Sequence, residues 1–112
     1  MRRATLLAGG IALIAAACGS ARRSLPIAGP QKLASAELAR GRDVFQRHCD
    51  SCHPGGEAGV GPAINDKPLP RFLIRFQVRH GLGAMPAFSA DELRDDDLER
   101  LISYLQALRA HG

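Results

Sequence analysis

The chain has 112 residues, enough for one small domain, with 46% hydrophobic and 23% charged residues and a formal net charge of +4. No basic patch interleaved with aromatic residues accompanies that charge, which excludes nucleic acid as the partner it serves. Three cysteines, two of them close together and one far upstream, exclude a disulfide framework.

Residues 1–17 read as a signal peptide, with Arg2 and Arg3 at a basic start, an apolar run over 6–14, and small residues up to Ala17. The stretch 4–17 is about 14 residues, short of the ~20 a membrane-spanning helix needs, so export is preferred over a retained transmembrane anchor. Its removal takes Arg2 and Arg3 with it and leaves 13 basic against 11 acidic side chains, a net +2. Ala15-Ala16-Ala17-Cys18-Gly19 resembles the lipobox of bacterial lipoproteins, in which the cysteine is diacylated and becomes the mature N-terminus. Ala15 stands where the common form has leucine. The resemblance implies lipidation of Cys18, and Gly19 in place of aspartate implies that the inner membrane does not retain the product. The alternative is ordinary cleavage after small residues, with Cys18 an incidental thiol. Residues 18–34 hold Gly and Pro without periodicity and read as a flexible tether that would let a folded domain swing along a membrane surface.

The folded part spans 35–110. A first helix is expected over 35–48, capped by Ser35, with Glu37 in its first turn and Leu38, Phe45 and Cys49 on one face. Gly41 inside it costs about 1 kcal/mol relative to Ala, which a close helix crossing would justify. Residues 54–66 hold four glycines and two prolines and form an irregular loop. A second helix over 70–80 starts at Pro70 and stops at Gly81. Phe72, Leu73 and Phe76 form its apolar face; Arg71, Arg75 and Arg79 form a basic stripe, read as a solvated face, as a docking surface for an acidic partner, or as the source of an arginine beside a cofactor carboxylate. Another glycine-bearing loop covers 81–88. Ser89 and Glu92 fit a capping box, and acidic residues at 95–97 suit a helix start, so the last helix begins near one or the other and ends near Arg109. Leu98, Leu101, Ile102, Leu105 and Leu108 form its apolar stripe, with Tyr104 alongside. No strand is expected.

The chemistry resides in Cys49-Asp50-Ser51-Cys52-His53, a C-x-x-C-H attachment signature for c-type haem. A thioredoxin-like pair would want βαβ alternation, and a structural zinc would want a second cluster of ligands; neither is present in the sequence. A domain of about 75 residues is marginal on its own core and needs a staple, which a covalent haem supplies. His53 is then the proximal iron ligand. Met85, the one methionine left after export, sits in a Gly-flanked loop and is the expected distal ligand, with His80 as a bis-histidine alternative.

Over 35–110 the chain resembles the bacterial class I monohaem cytochromes c. The matching parts are the helix leading into C-D-S-C-H, Gly61-Pro62, the G-x-G-A-M-P-A-F loop at 81–88, and the last amphipathic helix with Tyr104. The resemblance implies an all-α cytochrome c fold, three main helices and glycine-rich loops wrapped around one covalent haem c. It further implies that the Pro62 carbonyl accepts a hydrogen bond from His53, and that Gly41 and Phe45 lie where the first helix crosses the last. Two haem propionates would bring the mature charge to about zero. With both axial positions filled, the implied function is electron transfer between respiratory redox partners rather than catalysis. The alternatives are a haem subunit of a larger membrane dehydrogenase or oxidase, and a sensor or enzyme whose distal Met dissociates. The expected location is the periplasmic side, anchored through Cys18 or otherwise soluble in the periplasm.

Overall fold

The computed structural model describes residues 31–111; the expected signal peptide, Cys18 and most of the tether lie outside the described residues. Three helices follow in chain order, α1 (Ala36–His48), α2 (Arg71–His80) and α3 (Asp95–His111), with a short 3-10 turn at Pro54–Gly56 between α1 and α2. The described residues contain no strand; an isolated bridge joins Leu82 to Met85. The all-α architecture expected from the sequence is the one observed.

Helix α1 starts where the side chain of Ser35, in extended backbone, accepts a hydrogen bond from the Leu38 N–H at 3.2 Å. Its buried side is Gly41, Val44 and Phe45. The ladder continues past the last turn, with the Cys49 N–H on the Phe45 carbonyl at 2.8 Å, so the first thiol is tied to a core residue. Gly41 packs on α3: a methyl group there would collide with the Arg100 carbonyl and come within 2.9 Å of Tyr104 Cβ. The glycine that weakens α1 locally is what permits this crossing. Phe45 and Tyr104 meet across it with ring centroids 5.5 Å apart. Arg100 also reaches Glu37 at 2.6 Å and joins the two helices at their polar edge.

Burial is concentrated between α1 and α3. Val44 and Phe45 pack with Leu98, Leu101, Ile102, Tyr104 and Leu108, and the cluster extends through Ile74 and Val78 of α2 to Leu93. Fully burying a side chain such as Leu98, Leu101 or Ile102 contributes roughly 1.5–3 kcal/mol each. Leu33, at the end of the segment read as a tether, packs against this cluster.

The arginine stripe of α2 is neither a free docking face nor a wall of the cleft described below. Arg71 bonds Glu99 at 2.9 Å and Gln106 at 2.8 Å, and Arg75 bonds the same Glu99 at 2.8 Å. Arg79 bonds the Phe88 and Leu93 carbonyls at 3.0 and 2.8 Å and reaches Asp95. The stripe clasps α2 to α3, because the acidic first turns of α3 lie opposite it. The same contacts decide where α3 begins. Ser89 and Glu92 do form the reciprocal capping bonds, at 2.9 and 3.3 Å, but they close a single turn. That turn buries Leu93, and the Leu93 carbonyl, which a continuing helix would use for the next turn, is taken by Arg79. The helix proper starts at Asp95.

Candidate functional site

A cleft of about 460 Å³ opens beside the core, bounded by the end of α1, the 54–66 loop, α2, the 81–88 loop and α3. Core residues Ile74, Val78 and Leu101 form part of its wall, so the cleft is a continuation of the hydrophobic core. Cys49, Cys52, His53 and Met85 all border it. Four residues spread over 37 positions of sequence are therefore gathered at one cavity.

Cys49 and Cys52 are free thiols at the end of α1. The chain turns tightly there, with the Cys52 and His53 N–H groups on the Cys49 carbonyl at 3.1 and 2.9 Å. Burial, and secondarily the neighbouring Asp50 and Cys52, push the Cys49 thiol up to about 12.

His53 is 8% exposed, and its Nδ1 lies 2.7 Å from the Pro62 carbonyl. A carbonyl oxygen can only accept, so Nδ1 carries the proton and Nε2 keeps its lone pair. Such an outer bond orients a metal-binding imidazole and raises its basicity. The backbone that supplies it passes very close: a methyl at Gly61 would sit on the imidazole, 2.9 Å from both ring nitrogens. Gly61 brings the 54–66 loop onto His53, and Pro62 presents the acceptor.

Met85 is held by a tight turn. Leu82 and Met85 exchange N–H···O bonds at 3.1 and 3.0 Å, with Gly81 and Gly83 at positive φ (68° and 57°) on either side of Leu82. The Phe88 N–H on the Val78 carbonyl at 2.9 Å ties the loop back to α2. The half-buried Met85 sulfur accepts a contact from Gln77 Nε2 at 3.8 Å. Gln77 carries little signal in the sequence, an amide eight residues before Met85, and gains its place only from the cleft side of α2. Lys67 also lines the cleft and is likewise inconspicuous in the sequence. His80, the alternative distal ligand, does not border the cleft: its ring stacks on Phe76 at 4.1 Å and its Nδ1 bonds the Phe76 carbonyl at 2.8 Å.

An apolar slot flanked by two thiols, an imidazole with a free Nε2 and a thioether sulfur fits a haem of the c type, whose flat ring needs apolar walls and whose iron takes nitrogen and sulfur donors. The family model described as cytochrome c oxidase, cbb3-type, subunit III matches residues 36–105. This chain belongs to the cytochrome c family. The cytochrome c subunit of 4-cresol dehydrogenase (hydroxylating) from Pseudomonas putida is 36% identical over 86 residues, covering 77% of this chain and 75% of the relative. Cytochrome c6 of Bryopsis maxima is 37% identical over 79 residues, 62% of this chain and 89% of the relative. Cytochrome c6 of Thermosynechococcus vestitus is 35% identical over 86 residues, with 70% and 76% covered. The cofactor of this cytochrome c domain is covalent haem c.

Proposed function

We propose that this cytochrome c is a one-electron carrier of the bacterial monohaem type, with its haem bound through Cys49 and Cys52 and its iron held by His53 and Met85. The observation that carries the reading is the His53 ring. With Nδ1 committed to Pro62, Nε2 offers its lone pair in a cleft that both thiols and the Met85 sulfur also border. When bound, the haem supplies a single-electron Fe(III)/Fe(II) couple.

The chain's own residues do the rest. The two thiols tie the cofactor to the end of α1 and hence to the α1–α3 crossing. Pro62 keeps His53 in one tautomer and one orientation. Met85 would supply the iron with its second protein ligand and so leave no open position for a substrate, which supports electron transfer over catalysis; a thioether would also give a higher potential than a second histidine. The apolar walls keep water from the site and disfavour the extra positive charge of the oxidised state. Exchange takes place by transient contact at the cleft mouth, where Val60 and Leu82 stand exposed.

Visible spectra of the purified protein in both redox states test this reading. A far-red sulfur-to-iron band in the oxidised form is expected, and it disappears in Met85→Ala; its survival there would sink the assignment. Rapid carbon monoxide binding by the native protein would favour a sensor or enzyme whose distal ligand dissociates.

The similarity to the cytochrome c subunit of 4-cresol dehydrogenase favours a second reading, a haem subunit of a dehydrogenase. Stoichiometric co-purification with a larger redox protein separates it from a free carrier. Either way, the basic and apolar start of the chain supports export to the periplasmic side, and the lipobox-like residues 15–19 support diacylation of Cys18 with residues 18–34 as a tether. Mass spectrometry of the mature N-terminus decides this: a free thiol at Cys18 would refute lipidation.

A further inference from the structure

Beyond the thiols and the two histidines, the side chains with strong polarity on the cleft wall are Gln77 and Lys67. Gln77 is accounted for by the Met85 sulfur. Lys67 is the one Lys or Arg among the described residues lining the cleft, so it is the fixed positive charge there that an anionic group of a bound cofactor could meet. Its stem can pack along the wall while the head stays at the rim, with Nζ 3.1 Å from the Asp66 carboxylate. The Lys67 side chain is 40% exposed and that of Asp66 19%, so the pair marks the boundary between cleft and solvent.

The haem brings two carboxylates on the edge away from its vinyl groups. The thiols determine where the vinyl edge sits; the carboxylate edge needs a cation. The arginines nearest in sequence cannot serve, since Arg71, Arg75 and Arg79 are committed to α3 and to loop carbonyls and none borders the cleft. We propose that Lys67 is a positioning residue for the cofactor: its ammonium holds the carboxylate edge of the haem at the corner of the cleft where Ile64, Lys67 and Leu69 form the wall, and Asp66 competes for the same ammonium. The inference rests on the haem reading above.

The sign of each perturbation follows from charge. A cation near the iron favours the reduced state, and a carboxylate favours the oxidised state. Lys67→Met keeps an unbranched apolar stem and removes only the charge. At a fixed ambient potential its ratio of reduced to oxidised protein falls by about fourfold to tenfold. Asp66→Asn shifts the ratio the other way, and Lys67→Arg restores the native value. General loosening of the site would move Lys67→Met and Asp66→Asn in the same direction, so opposite signs are diagnostic.

The experiment is a spectroelectrochemical titration of holo-protein for the native chain and the three variants, with the far-red band recorded as a control on Met85 ligation. A native potential in Lys67→Met, or equal-signed shifts in Lys67→Met and Asp66→Asn, overturns the proposal. If Lys67→Met does not accumulate holo-protein, the opposed shift of Asp66→Asn with a native Lys67→Arg still supports it, and an unshifted Asp66→Asn overturns it. A native protein that carries no covalent haem would instead remove the haem reading itself, and the two failures are distinct.

Discussion

Replacing Gly61 with alanine tests the central contact of the site. Gly61 does not have a positive φ, and the Pro62 that follows favours extended backbone at 61, which alanine adopts freely. The substitution therefore introduces no backbone strain, and reducing the freedom of the unfolded chain would by itself stabilise by about 0.4–1 kcal/mol. Against this stands the imidazole: the new methyl would lie 2.9 Å from both ring nitrogens of His53. His53 is walled in at 8% exposure and cannot swing aside. Overpacking of a filled site costs about 1–3 kcal/mol. If the loop backs away, the 2.7 Å bond from Nδ1 to the Pro62 carbonyl opens, and a buried donor left without its acceptor costs about 1–3 kcal/mol more. The sum is a net loss of roughly 1–5 kcal/mol, and each kcal/mol lowers the melting temperature of a domain this size by about 4–8 °C. Thermal unfolding of the holo-protein, followed by far-ultraviolet circular dichroism and by the far-red band, reads the effect. A Gly61→Ala protein that melts at or above the native temperature with an unchanged band would refute the reasoning, because it would mean that the loop does not clamp the ring.

Gln77→Leu removes the donor to the Met85 sulfur; with Met85 as the proposed iron ligand, the sulfur becomes more electron-rich and the midpoint potential falls by about 20–60 mV, the equivalent of one ordinary hydrogen bond; a rise measured by spectroelectrochemistry would count against it. Hydrogen bonds from Arg71 and then Arg75 hold the Glu99 carboxyl below the usual carboxylate range. The folded state therefore binds that proton less readily than the unfolded state. The contribution to stability is complete above the unfolded value of about 4.3 and is lost as pH falls through the lower folded value. Glu99→Gln should accordingly show a flatter loss of stability on acidification, and, since Glu99 is 43% exposed, a smaller native advantage at high salt; identical acid profiles for the two proteins would exclude the clasp as a contributor. Without haem, the Cys49→Ser, Cys52→Ser protein should be largely unfolded, because the cleft walls Ile74, Val78 and Leu101 lose the surface they cover. A cooperative, native-like calorimetric transition in that variant would contradict this.

The parts of this cytochrome legible in the sequence are those whose chemistry is local. Two thiols and an imidazole packed within five residues form a recognisable attachment signature, so Cys49, Cys52 and His53 stand out as candidates. The Ser35 cap and the apolar stripe of α3 follow from spacing along one helix. Met85 stands out as a candidate because few methionines compete for the role, and its flanking glycines permit the tight turn that the structure shows.

Other features depended on what lies across a gap in the chain. The arginines of α2 form an unmistakable stripe, but whether a charged stripe is solvated, docks a partner or clasps a neighbour depends on the residue facing it. Here Gln106, 35 positions away, and Asp95, 16 positions away, face it. The start of α3 was undecidable from two adjacent caps, both chemically sound, until Arg79 claimed the Leu93 carbonyl. Gln77 and Lys67 look like ordinary surface residues in the sequence and acquire meaning only on the wall of a cleft. Capping and attachment motifs carry their own partners within a turn or two. An ion pair or a cavity wall takes its partner from wherever the fold brings one, and that was settled when α1 crossed α3 at Gly41 and α2 closed against them.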